Sequence, residues 1–200
     1  MSLGVEQARL FIEPLRGKTI TFLVNDRQTN LSLMKGMTAA AMATARGCTI
    51  FDIDAFFSSN SDEILARFPS EISKSVCIYV PDPLSNTESE FSRVFKTNSE
   101  VIIVQSLNTL YHLFQGSAIG SRTRKVAFAM ICLSHFAQAG RKIVMVVMYG
   151  RDKVIKIGGG GSISDFSDAT ISVEEVRHGL SLKCARGELW PEGEFYLKLP

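Results

Sequence analysis

No apolar run in this chain approaches the roughly 18 residues that a bilayer-spanning helix needs, so a transmembrane helix is excluded and no membrane partner is expected. Paired cysteines at CxxC spacing are missing as well. Cys48, Cys77, Cys132 and Cys184 stand alone in apolar or strand-like settings, which argues for buried free thiols rather than a disulfide framework or a zinc ribbon. His112, His135 and His178 fall on three separate segments with no second ligand nearby, so no metal site is expected. A basic stretch followed by an apolar block is absent from Met1 to Leu10; the expected location is therefore cytoplasmic. The net charge is only +2, too small to argue for nucleic acid without local clusters of cations.

What is present fits one soluble domain over residues 1–200. A chain of 200 residues with 46% hydrophobic and 21% charged side chains buries roughly 70% of its unfolded surface without staples. Strand-like runs alternate with helical patterns. Lys18 to Val24, Cys48 to Asp54, Val76 to Val80, Val101 to Val104 and Ile143 to Tyr149 are rich in β-branched and aromatic residues. Between them, Thr29 to Ala45, Asp62 to Phe68, Ser85 to Phe95 and Arg122 to Ala139 carry apolar positions at helical spacing. That alternation specifies a parallel sheet with helices on both faces. Beyond Gly150 the pattern changes to short strands at Ala169 to Val176, Leu180 to Arg186 and Glu194 to Leu199, joined at His178-Gly179 and Pro191-Glu192-Gly193. This reads as an antiparallel extension.

The run Val101-Ile102-Ile103-Val104 is unbroken and apolar, then turns abruptly polar at Gln105-Ser106. Ligands in open α/β sheets sit at the carboxyl ends of the strands, so Gln105 and Ser106 stand where a site belongs. The loop that leaves the first strand, Asn25 to Ser32, is the second such place. Phosphate loops need glycines so that backbone amides can wrap the anion, and a lysine to reach it. That loop holds neither Gly nor Lys. Gly17-Lys18-Thr19 matches the last three residues of such a motif, but it opens a strand instead of a helix and has no leading Gly at position 12, which is Ile12.

Four hydrophobic residues, a polar end, then Ser-Leu and a small polar residue resemble the Walker B strand of RecA-family ATPases, with Gln105 in place of the acid. An amide carries no charge with which to hold a magnesium-bound water. The closing strand Leu180 to Arg186 and the Trp190-Pro191-Glu192-Gly193 turn before Phe195-Tyr196 resemble the end of the RadA-type core. Over residues 15 to 199 the chain is similar to a minimal RecA-family core of the archaeal RadA paralogue type, with degenerate Walker A and Walker B motifs. The resemblance implies a three-layer α/β fold with a mostly parallel central sheet. It also implies that Phe56 stands where such enzymes place a water-activating Glu, and an aromatic ring accepts no proton. No counterpart of the amino-terminal helical domain of full recombinases is expected within residues 1–200.

These residues set out the expected sites. Asn25, Gln28, Thr29 and Gln105 form either a vestigial nucleotide pocket or a filled structural loop, with no cofactor and no catalytic residue expected. Asp52 and Asp54 share one face by strand alternation, with no base, nucleophile or metal partner beside them. Arg122, Arg124 and Lys125 follow one glycine-containing loop, and Arg151, Lys153 and Lys156 precede the run Gly158 to Gly161. In the RecA family the corresponding loops line the DNA path, which makes single-stranded DNA a candidate partner. Phe56 and Phe57 are either core or an apolar contact patch for a homodimer or a RecA/RadA-type recombinase. The expected function is an ATPase-inactive accessory protein of DNA recombination or repair; the alternative is a regulatory or scaffolding module.

Overall fold

The computed structural model describes residues 5–44, 47–65, 75–82, 85–114, 119–150 and 163–199. Arg151, Lys153 and Lys156 lie outside the described residues, as does part of the glycine-containing loop before Arg122.

Eight strands form a single sheet: β1 (Thr19–Val24), β2 (Cys48–Asp52), β3 (Val76–Tyr79), β4 (Val101–Gln105), β5 (Ile143–Tyr149), β6 (Ala169–Val176), β7 (Gly179–Arg186) and β8 (Glu194–Lys198). Their spatial order is β3-β2-β4-β5-β1-β6-β7-β8. Every pairing from β3 to β6 is parallel, and β6-β7 and β7-β8 are antiparallel. The helices are α1 (Val5–Ile12), α2 (Arg27–Thr44), α3 (Phe56–Ser59), α4 (Ser61–Leu65), α5 (Thr87–Ser92), α6 (Leu107–Leu113) and α7 (Ile119–Gly140). No described helix is long and apolar enough to cross a membrane.

The apolar strands explain the layering. In β5, Ile143, Met145 and Val147 enter one core while Val144, Val146 and Met148 enter the other. In β4 the same alternation sends Val101 and Ile103 one way and Ile102 and Val104 the other. Both faces are therefore covered: α1, α2, α3 and α4 lie on the first core, and α5, α6 and α7 on the second. A strand buried on both sides reads as continuous hydrophobicity, which is why these runs were legible as central strands.

The antiparallel extension belongs to the first core. Leu180, Leu182 and Leu197 are fully buried with it, and Phe11 of α1 stacks on Trp190 at 6.1 Å and meets Phe195 at 5.7 Å. A methyl group on Gly36 of α2 would stand 2.7 Å from Leu197 Cδ2, so the missing side chain lets helix and hairpin close on each other. Leu197→Ala is expected to cost about 3 kcal/mol, the usual loss for a fully buried leucine, measured as a lowered urea midpoint with an unchanged slope.

Candidate functional site at the carboxyl edge of the sheet

Val24, Asp52, Gln105 and Tyr149 end the four strands β1, β2, β4 and β5 side by side, with Asp52 in register with Gln105 and Val24 with Tyr149. The chain leaves β1 over one face, through α2, and leaves β4 over the other, through α6 and α7. Ligands of open α/β sheets bind at such an edge.

At the end of β1 the loop turns directly into α2. The Asp26 carboxylate accepts from the Thr29 backbone amide at 2.8 Å and from the Thr29 hydroxyl at 2.9 Å. An Asp accepting from the amide three residues on is a helix N-cap. The first amides of a helix, with the positive end of its dipole, are also where phosphates bind. Here a side-chain anion from within the chain already occupies one of them, the Thr29 amide.

Asp52 has a comparable task at the end of β2. Fully buried, it accepts from the Phe57 amide at 2.9 Å, the Ser58 amide at 2.7 Å and the Ser58 hydroxyl at 2.6 Å. The strand stops there. Asp54 lies in the turn beyond it and accepts from the Phe56 amide at 3.2 Å, so strand alternation does not pair the two carboxylates on one face. The turn needs Ala55 in the left-handed region, with φ at 55°.

Gln105 and Ser106 open the helix after β4. The Ser106 hydroxyl accepts from the Thr109 amide at 3.4 Å as the N-cap of α6, and the Gln105-Ser106 peptide is cis. Gln105 is fully buried, and neither atom of its amide has a hydrogen-bond partner of ordinary geometry, although the Tyr149 hydroxyl adjoins it. Tyr149 closes the group. Its backbone N–H donates to Asn108 Oδ1 at 2.8 Å, its carbonyl accepts from Asn108 Nδ2 at 3.2 Å, and its hydroxyl accepts from Asn30 Nδ2 at 2.5 Å.

Electrostatics follow from burial. Desolvation holds the Asp54 carboxyl above its ordinary range, against the Phe56 amide that favours its charge, and the nearby Asp52 charge adds to the rise. The Tyr149 phenol is also raised, first by burial and then by the Asp54 charge, while Asn30 and Arg27 oppose the shift.

The expected residues separate on this frame. Thr29 and Gln105 are buried, while Asn25 and Gln28 are exposed. Among the described residues no hydrogen bond joins either of the exposed two to Gln105. Phe56 is 8% exposed and Phe57 is fully buried, both in the first core, so of the two readings, core or contact patch, burial favours core; Arg27 covers the Phe56 ring at 5.6 Å. Arg122, Arg124 and Lys125 stand on the first two turns of α7 rather than on mobile loop backbone. Lys125 is paired with Glu88 at 2.9 Å and lies 5.3 Å over the Phe114 ring, and Arg124 Nε donates to the Gly120 carbonyl at 3.1 Å. The helix pattern from Arg122 onward foreshadowed this. Asp26, Asn30, Asn108 and Tyr149 were missed. Asp26 had a signal, since an acid just before a helix and three residues ahead of Thr29 is a cap pattern.

No protein-family model matches the chain, and no curated protein does. Among solved structures, the RadB recombinase superposes with a TM-score of 0.66 at 12% identity, over 92% of this chain and 88% of that one. The fold is RecA-like. Matching chains number 423, so the fold alone does not select a function.

Asp54→Asn keeps the acceptor for the Phe56 amide and removes the charge. Because the folded-state pKa is raised, the carboxyl's contribution to stability is full below its unfolded value of about 3.9 and is lost as pH rises through the folded value. The variant is therefore expected to be more stable than the parent at pH 7, by no more than about 1 kcal/mol given its partial exposure, and to match it near the unfolded value, as read from urea midpoints at the two pH values.

Proposed function

We propose that this protein is an ATPase-inactive RecA/RadA-like paralogue that serves DNA recombination or repair as an accessory factor, by binding DNA or a recombinase. What carries the reading is the Asp26 carboxylate on the Thr29 amide and hydroxyl, at the helix terminus where a phosphate loop would hold its anion. A triphosphate there meets a fixed negative charge instead of a lysine. Three other features agree. The loop from Asn25 to Ser32 has no glycine with which to wrap a phosphate. Gln105 offers magnesium a neutral amide. Phe56, buried under Arg27, has no proton-accepting atom.

Catalysis of phosphoryl transfer is mostly positioning and charge stabilisation, and each of these features removes one of its parts. The likeness of the fold to that of the RadB recombinase supports a place in recombination or repair. The cations Arg122, Arg124 and Lys125 on α7, together with Arg151, Lys153 and Lys156, supply a means of holding a phosphate backbone. The alternative, a scaffold that uses the fold only for protein contacts, differs in needing no nucleic acid.

Phosphate release from ATP is expected to equal the buffer blank, in the presence or absence of single-stranded DNA, and Gln105→Asp alone is expected to restore nothing. Single-stranded DNA is expected to bind weakly, with a log–log salt slope of about −2 if all three cations on α7 engage phosphates, Lys125 exchanging Glu88 for the backbone, and about −4 for all six. Turnover abolished by changes at this strand edge would refute the inactive assignment. DNA binding that survives charge reversal of Arg122, Arg124, Arg151 and Lys153 would remove these residues from the interface.

A further inference from the structure

The second face of the sheet carries a groove that the strand-edge site does not use. It runs between α5, with the short helical turn Arg93–Lys96 that follows it, and the first four turns of α7, and has a volume of about 540 Å³. Phe91, Phe95, Phe114 and Phe128 make its walls, with Ala129 and Cys132 between them. Phe91 and Phe95 meet edge to face at 5.7 Å, and Phe95 meets Phe136 the same way at 5.3 Å, so this wall is fixed by packing. Phe128 is 68% exposed at the lip, an expensive place to leave an aromatic ring uncovered.

Three charged side chains line the mouth: Glu88, Arg124 and Lys125. Glu88 and Lys125 neutralise each other at 2.9 Å. Arg124 remains. Its Nε is anchored on the Gly120 carbonyl, which leaves both terminal guanidinium nitrogens without a partner among the described residues. A guanidinium presented through its terminal nitrogens matches a carboxylate, which accepts two parallel hydrogen bonds from it. The volume falls within the range of small-ligand sites, and apolar walls with one placed polar group are their usual composition.

We propose that this groove is a binding site for a small amphiphilic monocarboxylate, an acyl or arylalkyl acid whose apolar body lies among Phe91, Phe95, Phe114 and Phe128 and whose carboxylate pairs with Arg124. Among the described lining residues the net charge is +1, carried by the Arg124 guanidinium, and this selects an anion over a neutral amphiphile. Bound ligand covers Phe128. The assignment rests on the α5–α7 groove alone and is independent of nucleotide chemistry at the strand edge.

Calorimetric titration of the full chain with decanoate and with decanol tests it, because the two share an apolar tail and differ in the head group. Decanoate is expected to bind one to one in the micromolar range, and decanol about tenfold more weakly. Arg124→Gln is expected to bring decanoate down to the level of decanol while leaving decanol unchanged. Cys132→Trp, which fills the groove, is expected to abolish both, with circular dichroism reporting an intact fold; Phe128→Glu, at the exposed lip, gives the same test without touching the buried wall. Equal affinity for the two ligands, no saturable binding of decanoate, or decanoate binding that survives both groove variants would overturn the proposal. So would an acidic amphipathic peptide that binds in a groove-dependent way where decanoate does not, since that result assigns the groove to a protein partner.

Discussion

A parallel sheet covered on both faces must find partners from within the chain for the polar groups at its carboxyl edge, because helices shield its surfaces from water and an unpaired buried polar group is costly. Most features of this edge are answers to that constraint. Asp26 and Ser106 cap the helices that follow β1 and β4. The buried Asp52 gathers the amides of Phe57 and Ser58 where the chain turns from β2 into α3. Asn108 supplies both a donor and an acceptor to the last residue of β5, as another strand would. Gln105 is less well served, a buried amide with neither atom in a hydrogen bond of ordinary geometry, and Asn30 beside it leaves its Oδ1 without a partner among the described residues.

The same constraint bears on function. A RecA-like edge that binds nucleotide leaves its backbone amides open for phosphate, and a structural edge closes them with side chains. In this chain the anion on α2 is a covalent part of the loop, so the amide at Thr29 is already satisfied. Replacing it by phosphate requires breaking two hydrogen bonds and placing two anions together, with no lysine to offset their repulsion. The repulsion arises at a single helix terminus, whatever the 12% identity of the structural neighbour.

Much of the fold was legible in the residues. The runs Val101 to Val104 and Ile143 to Tyr149 are apolar on both faces because each strand feeds two cores, and hydrophobic periodicity reports that directly. The antiparallel extension was readable from the change to short strands beyond Gly150, and the three-layer core came with the resemblance to the RecA family. The site was less legible, for a physical reason. Whether Phe56 and Phe57 face solvent depends on the left-handed turn at Ala55 and on the Asp52 cap, neither of which leaves a periodic trace. The helical pattern from Arg122 to Ala139 already held Arg122, Arg124 and Lys125; α7 begins earlier, at Ile119, because helix starts are the least determined feature of such a pattern. Pairing of Lys125 with Glu88 joins residues far apart in the chain, which no local pattern encodes.

On this reading the Asp26 carboxylate stands where a nucleotide phosphate would lie on α2 and keeps ATP out. Direct titration of ATP and magnesium into the protein, followed by calorimetry, tests it independently of any turnover. The account predicts no saturable heat with the parent chain at millimolar nucleotide. Micromolar ATP binding by the parent chain, lost when Thr29 or Asn30 is changed, would contradict it.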